Sequence, residues 1–326
     1  MSLLEKSWYN KNPLVVVLLP LTLLFWLISS IRRLFYRLGI FRSHRVDVPV
    51  VIVGNISVGG NGKTPLVIFL CHWLKQNGFR PGVISRGYGG NGIDYPKTVE
   101  TDSKPEHVGD EAVLMKQHLG CPMVVDPNRP RGASYLIEEH QCDVVISDDG
   151  LQHYALQRDV EIVVIDGQRR FGNALLLPMG PLRESRQRLA SVDFKVTNGG
   201  KAQTEEYLMS LEPGQLVNVK YPQQTKPVAS INRTVVAAAA IGNPQRFFDL
   251  LTTKGVKIKE TLIFGDHHLY TEHDLPQETV IMTEKDAVKC RDFAHDDWWY
   301  LPVSAKLTEH FKSDFLERLL AIKSKR

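Results

Sequence analysis

The chain has 326 residues, 43% hydrophobic and 23% charged, which is apolar enough to bury a core over two domains and excludes a disordered chain. Net charge is +4, from 40 Lys plus Arg against 36 Asp plus Glu, too slight and dispersed to indicate nucleic acid. Cys71, Cys121, Cys142 and Cys290 form no C-x-x-C pair and the histidines lack a metal-binding helical spacing, so neither a disulfide framework nor a structural metal is expected.

The first predicted element is apolar. Leu14 to Ile31 reads LVVVLLPLTLLFWLISSI, 18 residues without a charge, at the lower edge of the length that crosses a bilayer as a helix. Arg32, Arg33, Arg37, Arg42 and Arg45 follow it, against Lys6 and Lys11 in front, so the positive-inside rule places the remaining body in the cytoplasm. Arginines and large side chains stand where a signal peptide would carry a small-residue cleavage site. A run apolar all round, followed by an Arg-rich stretch, suits a membrane boundary better than a soluble core. Its length fits a spanning helix and one lying in the interface alike, and Pro20 is tolerated in lipid when freed carbonyls find partners.

Val48 to Leu74 then reads as strand, glycine-rich loop and helix. Val48 to Val53 is β-branched, and SVGGNGKT carries the G-K-T end of a Walker A loop, with Ser57 where that motif opens on glycine. The candidate nucleotide site is thus Ser57, Val58, Gly59, Gly60, Asn61, Gly62, Lys63 and Thr64. Gly59, Gly60 and Gly62 let successive N–H groups converge on phosphate oxygens, Lys63 neutralises the β and γ phosphates of ATP, and the Thr64 hydroxyl suits Mg²⁺. Pro65 fits a first helical turn.

Pro81 to Ser85 and Glu161 to Asp166 are further strand candidates alternating with helix-like segments, as a mostly parallel sheet requires. Between them CDVVISDDG is a strand ending in Asp148 and Asp149, the pattern of a Walker B strand whose carboxylates reach the metal. Asp166 reads as a turn residue. Residues 205–230 are polar and proline-containing and read as an interdomain linker. From Arg233 a strand, a Gly-Asn-Pro turn, a helix capped by Gly255 and three more strand candidates make a smaller α/β unit. The expected organisation is a membrane helix and basic stretch at 1–45, a P-loop domain at 46–204, the linker, and a C-terminal α/β domain at 231–326. TEKD at Thr283 to Asp286 has the wrong order for guanine recognition and reads as a post-strand turn.

The strings VPVVIVGNISVGGNGKTP, VISRGYGG, VGDEAVLM, ISDDGLQH, LLPMGPLRE, FGDHHLY and MTEKDAVK, in this order behind an apolar segment, closely resemble the tetraacyldisaccharide 4'-kinase family. The resemblance implies a P-loop NTPase-like fold of two α/β/α domains with the active site between them, plus an N-terminal membrane helix. It implies phosphorylation, with ATP and Mg²⁺, of the 4'-hydroxyl of an acylated glucosamine disaccharide 1-phosphate at the cytosolic face of a bacterial inner membrane. Membrane lipids are then the other partner, and no obligate protein partner is evident. It also assigns Asp110 as general base, His267 as the histidine assisting it, Arg183 and Glu184 as groups near the phosphates and the metal, and Arg86 and Tyr88 as candidate phosphate or substrate contacts. On residue pattern alone Asp110 reads equally as a helix cap, Arg183 and Glu184 as a solvated helix start, Tyr88 as a turn residue, and His267 is interchangeable with His268. A membrane-tethered nucleotide switch and a soluble small-molecule kinase share the P-loop and Asp148 but lack, respectively, an acceptor-activating pair and a lipid anchor.

Overall fold

A computed structural model describes residues 3–10, 13–90, 94–266 and 268–326. In chain order the strands are β1 (Val50–Gly54), β2 (Pro81–Ser85), β3 (Lys97–Thr98), β4 (Met123–Val125), β5 (Val144–Asp148), β6 (Val160–Asp166), β7 (Phe194–Asn198) and β8 (Tyr207–Pro213). They continue with β9 (Leu216–Asn218), β10 (Thr225–Lys226), β11 (Val235–Ala239), β12 (Ile258–Ile263), β13 (Val280–Thr283), β14 (Trp298–Leu301) and β15 (Val303–Leu307).

Nine of them form a sheet in the order β15-β8-β7-β6-β1-β5-β2-β4-β3, parallel through its middle and closed at both edges by the antiparallel strands β15 and β3. The central strands are buried on both faces, which is why they read as continuous apolar runs. Alternation then sorts each strand between two cores: Val51 and Val53 point to one, Val50 and Ile52 to the other. A second sheet, β10-β9-β14-β13-β11-β12, carries its own pair of cores.

The expected linker and domain boundary need correction. Residues 205–230 are not a tether: β8 pairs parallel with β7 in the large sheet, and β9 and β10 edge the small one. The C-terminal segment also leaves the small domain, since β15 pairs with β8 and helix Glu309–Lys323 buries Phe311, Phe315 and Leu319 in the large core. Those three residues recur every four positions on one helix face, and that stripe is buried against the first domain.

The N-terminal apolar run forms a 3₁₀ turn and helix Leu19–Arg37, long and apolar enough to cross a membrane. Pro20 lies in its first turn, where a missing N–H costs no hydrogen bond. Leu23, Leu24, Trp26, Leu27 and Ile28 are about half exposed to solvent. One side is fixed to the body: Thr22 Oγ1 accepts from Met179 N at 3.1 Å, and the Tyr36 and Tyr154 rings lie 5.8 Å apart. All four cysteines are buried and free.

Candidate active site

The P-loop sits on the turn from β1 into helix Lys63–Gln76. Gly59 and Gly62 have φ of 104° and 92°, values that L side chains rarely adopt, so glycine is required at both. Ser57, the departure from the motif, is in a short antiparallel bridge to Leu182 and its hydroxyl accepts a 3.0 Å hydrogen bond from the Asn61 amide. It therefore ties the loop across its own base, a job glycine has no side chain to do.

Parallel register sets Val53 opposite Asp148, so the carboxylates at the end of β5 emerge beside the loop that follows β1. Lys63 Nζ stands 3.5 Å from Asp149, and Arg183 Nη1 donates to both Asp149 oxygens at 3.2 and 3.0 Å. Burial alone would raise the Asp149 carboxyl, but Lys63 and Arg183 hold it well below the usual carboxylate range. Asp148 is the opposite case. Burial first, then the charges of Glu111 and Asp149, push it up to about 7 against Lys63 and Arg129. Its Oδ2 accepts from Ser85 Oγ at 3.4 Å, while its Oδ1 is buried with no hydrogen-bond partner among the described residues.

Arg129, which the sequence pattern did not single out, is 1% exposed and fastens this corner. It donates to the carbonyls of Ile84 and Asp148 at 2.6 and 2.7 Å and to Ser147 Oγ at 3.1 Å. Burial lowers its guanidinium to about 10, opposed by Asp148 and Asp149. In the sequence it is one arginine in a polar helix start, and nothing local distinguishes it from a solvated one.

Lys63, Thr64, Arg86, Tyr88, Asp148, Asp149, Arg183 and Glu184 line one continuous cleft of about 1410 Å³, which the P-loop shares with the second domain and the N-terminal helix. Glu184, expected near the metal, lines the cleft: the Tyr154 hydroxyl donates to one oxygen, and the other, 3.4 Å from Arg188 Nε, is buried without a hydrogen-bond partner among the described residues. Burial raises its carboxyl, opposed by those two partners. Asp110 opens helix Asp110–His118, with Gly109 as the cap, and one of its oxygens accepts from Glu111 N at 2.9 Å. Lys289 of the second domain lies 3.9 Å from its other oxygen, and neighbouring Glu111 lines the cleft. His267 lies outside the described residues; His268 stacks on Phe264 with centroids 4.7 Å apart. Asp166 is the turn residue expected, accepting from Gln168 N and Arg169 N at 2.9 Å, and Thr283 caps the helix after β13.

The end of β7 and the second domain supply contacts that single-strand motifs do not announce. Asn198 Nδ2 donates to Asn61 O at 2.9 Å, and Arg246 Nη2 donates to Asn198 Oδ1 at 2.5 Å. Lys285 bridges Glu111 at 2.9 Å and Asp266 at 3.1 Å, so its ammonium is held charged well above its ordinary range despite burial. His153 is held down near 4 by burial and then by Arg129 and Arg86.

A phosphate loop between a buried parallel strand and a helix, carboxylates ending the adjacent strand, and a cleft larger than nucleotide phosphates fill define a P-loop phosphotransferase. A family model described as Tetraacyldisaccharide-1-P 4'-kinase matches residues 14–320. A tetraacyldisaccharide 4'-kinase of Pseudoalteromonas atlantica is 59% identical over 305 residues, covering 94% of this chain and 100% of its own. One from Tolumonas auensis is 48% identical over 321 residues, 97% of each chain. The crystal structure of LpxK from Aquifex aeolicus, an "apo" form in complex with ATP, superposes with a TM-score of 0.76 at 29% identity, over 94% of this chain and 99% of that one. The chain belongs to the tetraacyldisaccharide 4'-kinase family, and it is an enzyme of lipid A biosynthesis.

Proposed function

We propose that this kinase transfers the γ-phosphoryl group of ATP to the 4'-hydroxyl of tetraacyldisaccharide 1-phosphate, at the cytosolic face of the inner membrane. The observation that carries the reading is the single cleft that runs from the P-loop at Lys63 to the exposed apolar helix Leu19–Arg37. A soluble acceptor would not need a lipid-facing wall.

The P-loop amides and Lys63 hold the phosphates, and the partly exposed Arg183 faces the charge that builds on the transferring group. The acceptor oxygen forms a bond to phosphorus as the bond from the γ-phosphorus to its bridging oxygen breaks, and ADP departs. Asp110 takes the hydroxyl proton, with His267 as the histidine that assists it. Magnesium fits the donor set: Asp148 offers a buried carboxylate oxygen without a partner, and Thr64 and Asp149 add hard oxygens on the same wall. When bound it neutralises phosphate charge. Glu184 Oε2 is likewise buried without a hydrogen-bond partner among the described residues, with Arg188 Nε 3.4 Å away, so it stays a candidate ligand on that side of the cleft.

Purified enzyme incubated with labelled ATP, Mg²⁺ and the lipid disaccharide in detergent should yield labelled lipid. Label released only as inorganic phosphate would refute the assignment in favour of a nucleotide switch. Full-length protein recovered wholly in the soluble fraction would refute the membrane location.

A further inference from the structure

The five arginines after the apolar run are not equivalent in the fold. Arg32 and Arg33 line the cleft, whereas Arg37, Arg42 and Arg45 are not among its lining residues. The same helix also lends Phe25, Ile28 and Ser29 to the cleft wall. Positions 25, 28, 29 and 32 follow the i, i+3, i+4, i+7 rule, so they form one stripe that runs from apolar to hydroxyl to cationic. The stripe is fixed against the body by the Thr22 hydrogen bond to Met179 and by the Tyr36 and Tyr154 rings. A stripe of this polarity matches an amphiphile with its chains toward Phe25 and an anionic end toward Arg32.

Charge pairing separates these two arginines from Lys63, Arg183 and Arg188, although Arg86, Arg129 and Arg246 also line the cleft outside any carboxylate salt bridge among the described residues. Lys63 and Arg183 are paired with Asp149, and Arg188 with Glu161 and Glu184. Neither Arg32 nor Arg33 is in a salt bridge with a carboxylate among the described residues. Arg33 donates only to Ser30 Oγ, at 3.3 Å, and the Arg32 guanidinium lies 5.8 Å from the Tyr36 ring centroid. Arg86 and His153 line the same cleft, and Arg32 is among the cations that keep His153 neutral. Two cleft-facing guanidiniums outside any salt bridge, Arg33 being near enough to Glu184 for its charge to favour the carboxylate, suit a phosphate ester, which accepts from a planar fork of donors.

We infer that Arg32 and Arg33 form the subsite for the 1-phosphate of the lipid acceptor, at the end of the disaccharide remote from the 4'-hydroxyl. The inference rests on the proposed reaction. A phosphate ester can also be presented by an anionic lipid headgroup, so the test separates the two sources.

Transfer is measured in neutral detergent micelles with two acceptors, the tetraacyldisaccharide 1-phosphate and the same lipid lacking that phosphate. Wild type should prefer the phosphorylated acceptor in kcat/KM. Arg32→Ala and Arg33→Ala should each lower kcat/KM for it by about tenfold or more, as loss of a charged hydrogen bond does, and leave the dephosphorylated acceptor within about twofold. Arg32→Lys and Arg33→Lys should keep part of the preference, KM for ATP should not move, and Arg37→Ala should behave as wild type. An equal fall for both acceptors would overturn the inference, showing a structural role. So would a fall seen only in vesicles containing anionic lipid, which would assign the arginines to headgroups. A wild type that uses both acceptors equally well overturns the subsite while the kinase reading stands. A wild type that phosphorylates neither removes the reading beneath it.

Discussion

Replacing Asp148 by asparagine should stabilise the nucleotide-free protein while disabling it, and the pH dependence of that gain is the informative part. Asp148 is 2% exposed, and its carboxyl is raised from 3.8 to about 7 by burial and by Glu111 and Asp149. Below about pH 4 the group is protonated folded and unfolded, so the native state bears no charge penalty. Between about pH 4 and pH 7 the unfolded chain releases the proton and the native state keeps it, and stability drains away as pH rises. The difference between 3.8 and about 7 corresponds to a penalty of up to about 4 kcal/mol, fully developed above pH 7. Asparagine keeps the shape and cannot ionise. Thermal melts of wild type and Asp148→Asn from pH 4 to 8.5, without nucleotide or Mg²⁺, should therefore diverge as pH rises and run parallel above pH 7, the variant melting higher by several degrees, at roughly 2 °C per kcal/mol. The same variant should lose at least about 100-fold in kcat. A melting difference that is flat with pH, or largest at pH 4, would refute the assignment of a buried, proton-holding carboxylate.

Lys63→Ala should abolish transfer, by at least about 100-fold in kcat, because no other cation opens the P-loop helix; labelled-lipid formation checks it. Asp110→Asn should lower kcat far more than it raises KM for ATP, and equal effects on both would argue against its role as base. A Cβ on Gly242 would lie 2.3 Å from Gly60 N, backbone that has little room to yield, so Gly242→Ala should push the second-domain loop off the P-loop and raise KM for ATP. Phe315→Ala should cost about 3–5 kcal/mol by opening a cavity in the large-sheet core, measured by chemical denaturation. Loss confined to the small domain would contradict the strand and helix pairing described above.

What could be read from the sequence was what lies close together in it. The strand, loop and helix around Lys63 are contiguous, and Asp148 and Asp149 stand at the end of the short buried strand that begins Val144-Val145-Ile146, so local pattern was enough to place both. The return of the C-terminus was hidden for the converse reason. VSAKL alternates as an edge strand should, and Phe311, Phe315 and Leu319 mark an amphipathic helix, yet neither pattern names the sheet it will join. Residues 205–230 looked like a linker because β9 and β10 are only three and two residues long and β8, though seven residues long, is partly exposed and carries polar residues and a proline. Arg129 and Asn198 were invisible because their partners, Ile84, Asp148 and Asn61, are distant in sequence, and a buried arginine is recognised only by the acceptors around it.

The shape of the phosphate loop is not set by the first domain alone. Asn198 at the end of β7 holds the Asn61 carbonyl, Arg246 of the second domain holds Asn198, and the backbone of Gly242 packs against Gly59 and Gly60. A Cβ at Gly62 would meet the Asn198 amide at 2.2 Å, so the glycine is required by packing as well as by its positive φ. The amides that converge on phosphate are thereby oriented by a contact chain crossing between the two sheets. Loss of either Gly242 packing or the Arg246 hydrogen bond should then weaken ATP binding while leaving the P-loop sequence intact. On the opposite side Lys285 ties Glu111, next to the candidate base, to Asp266 of the second domain. Phosphate loop and candidate base are both referenced to the second domain, so under the proposed roles the separation of phosphorus from acceptor oxygen depends on how that domain sits, and the smaller sheet would share in the catalytic geometry even though the Walker residues all lie on the larger one.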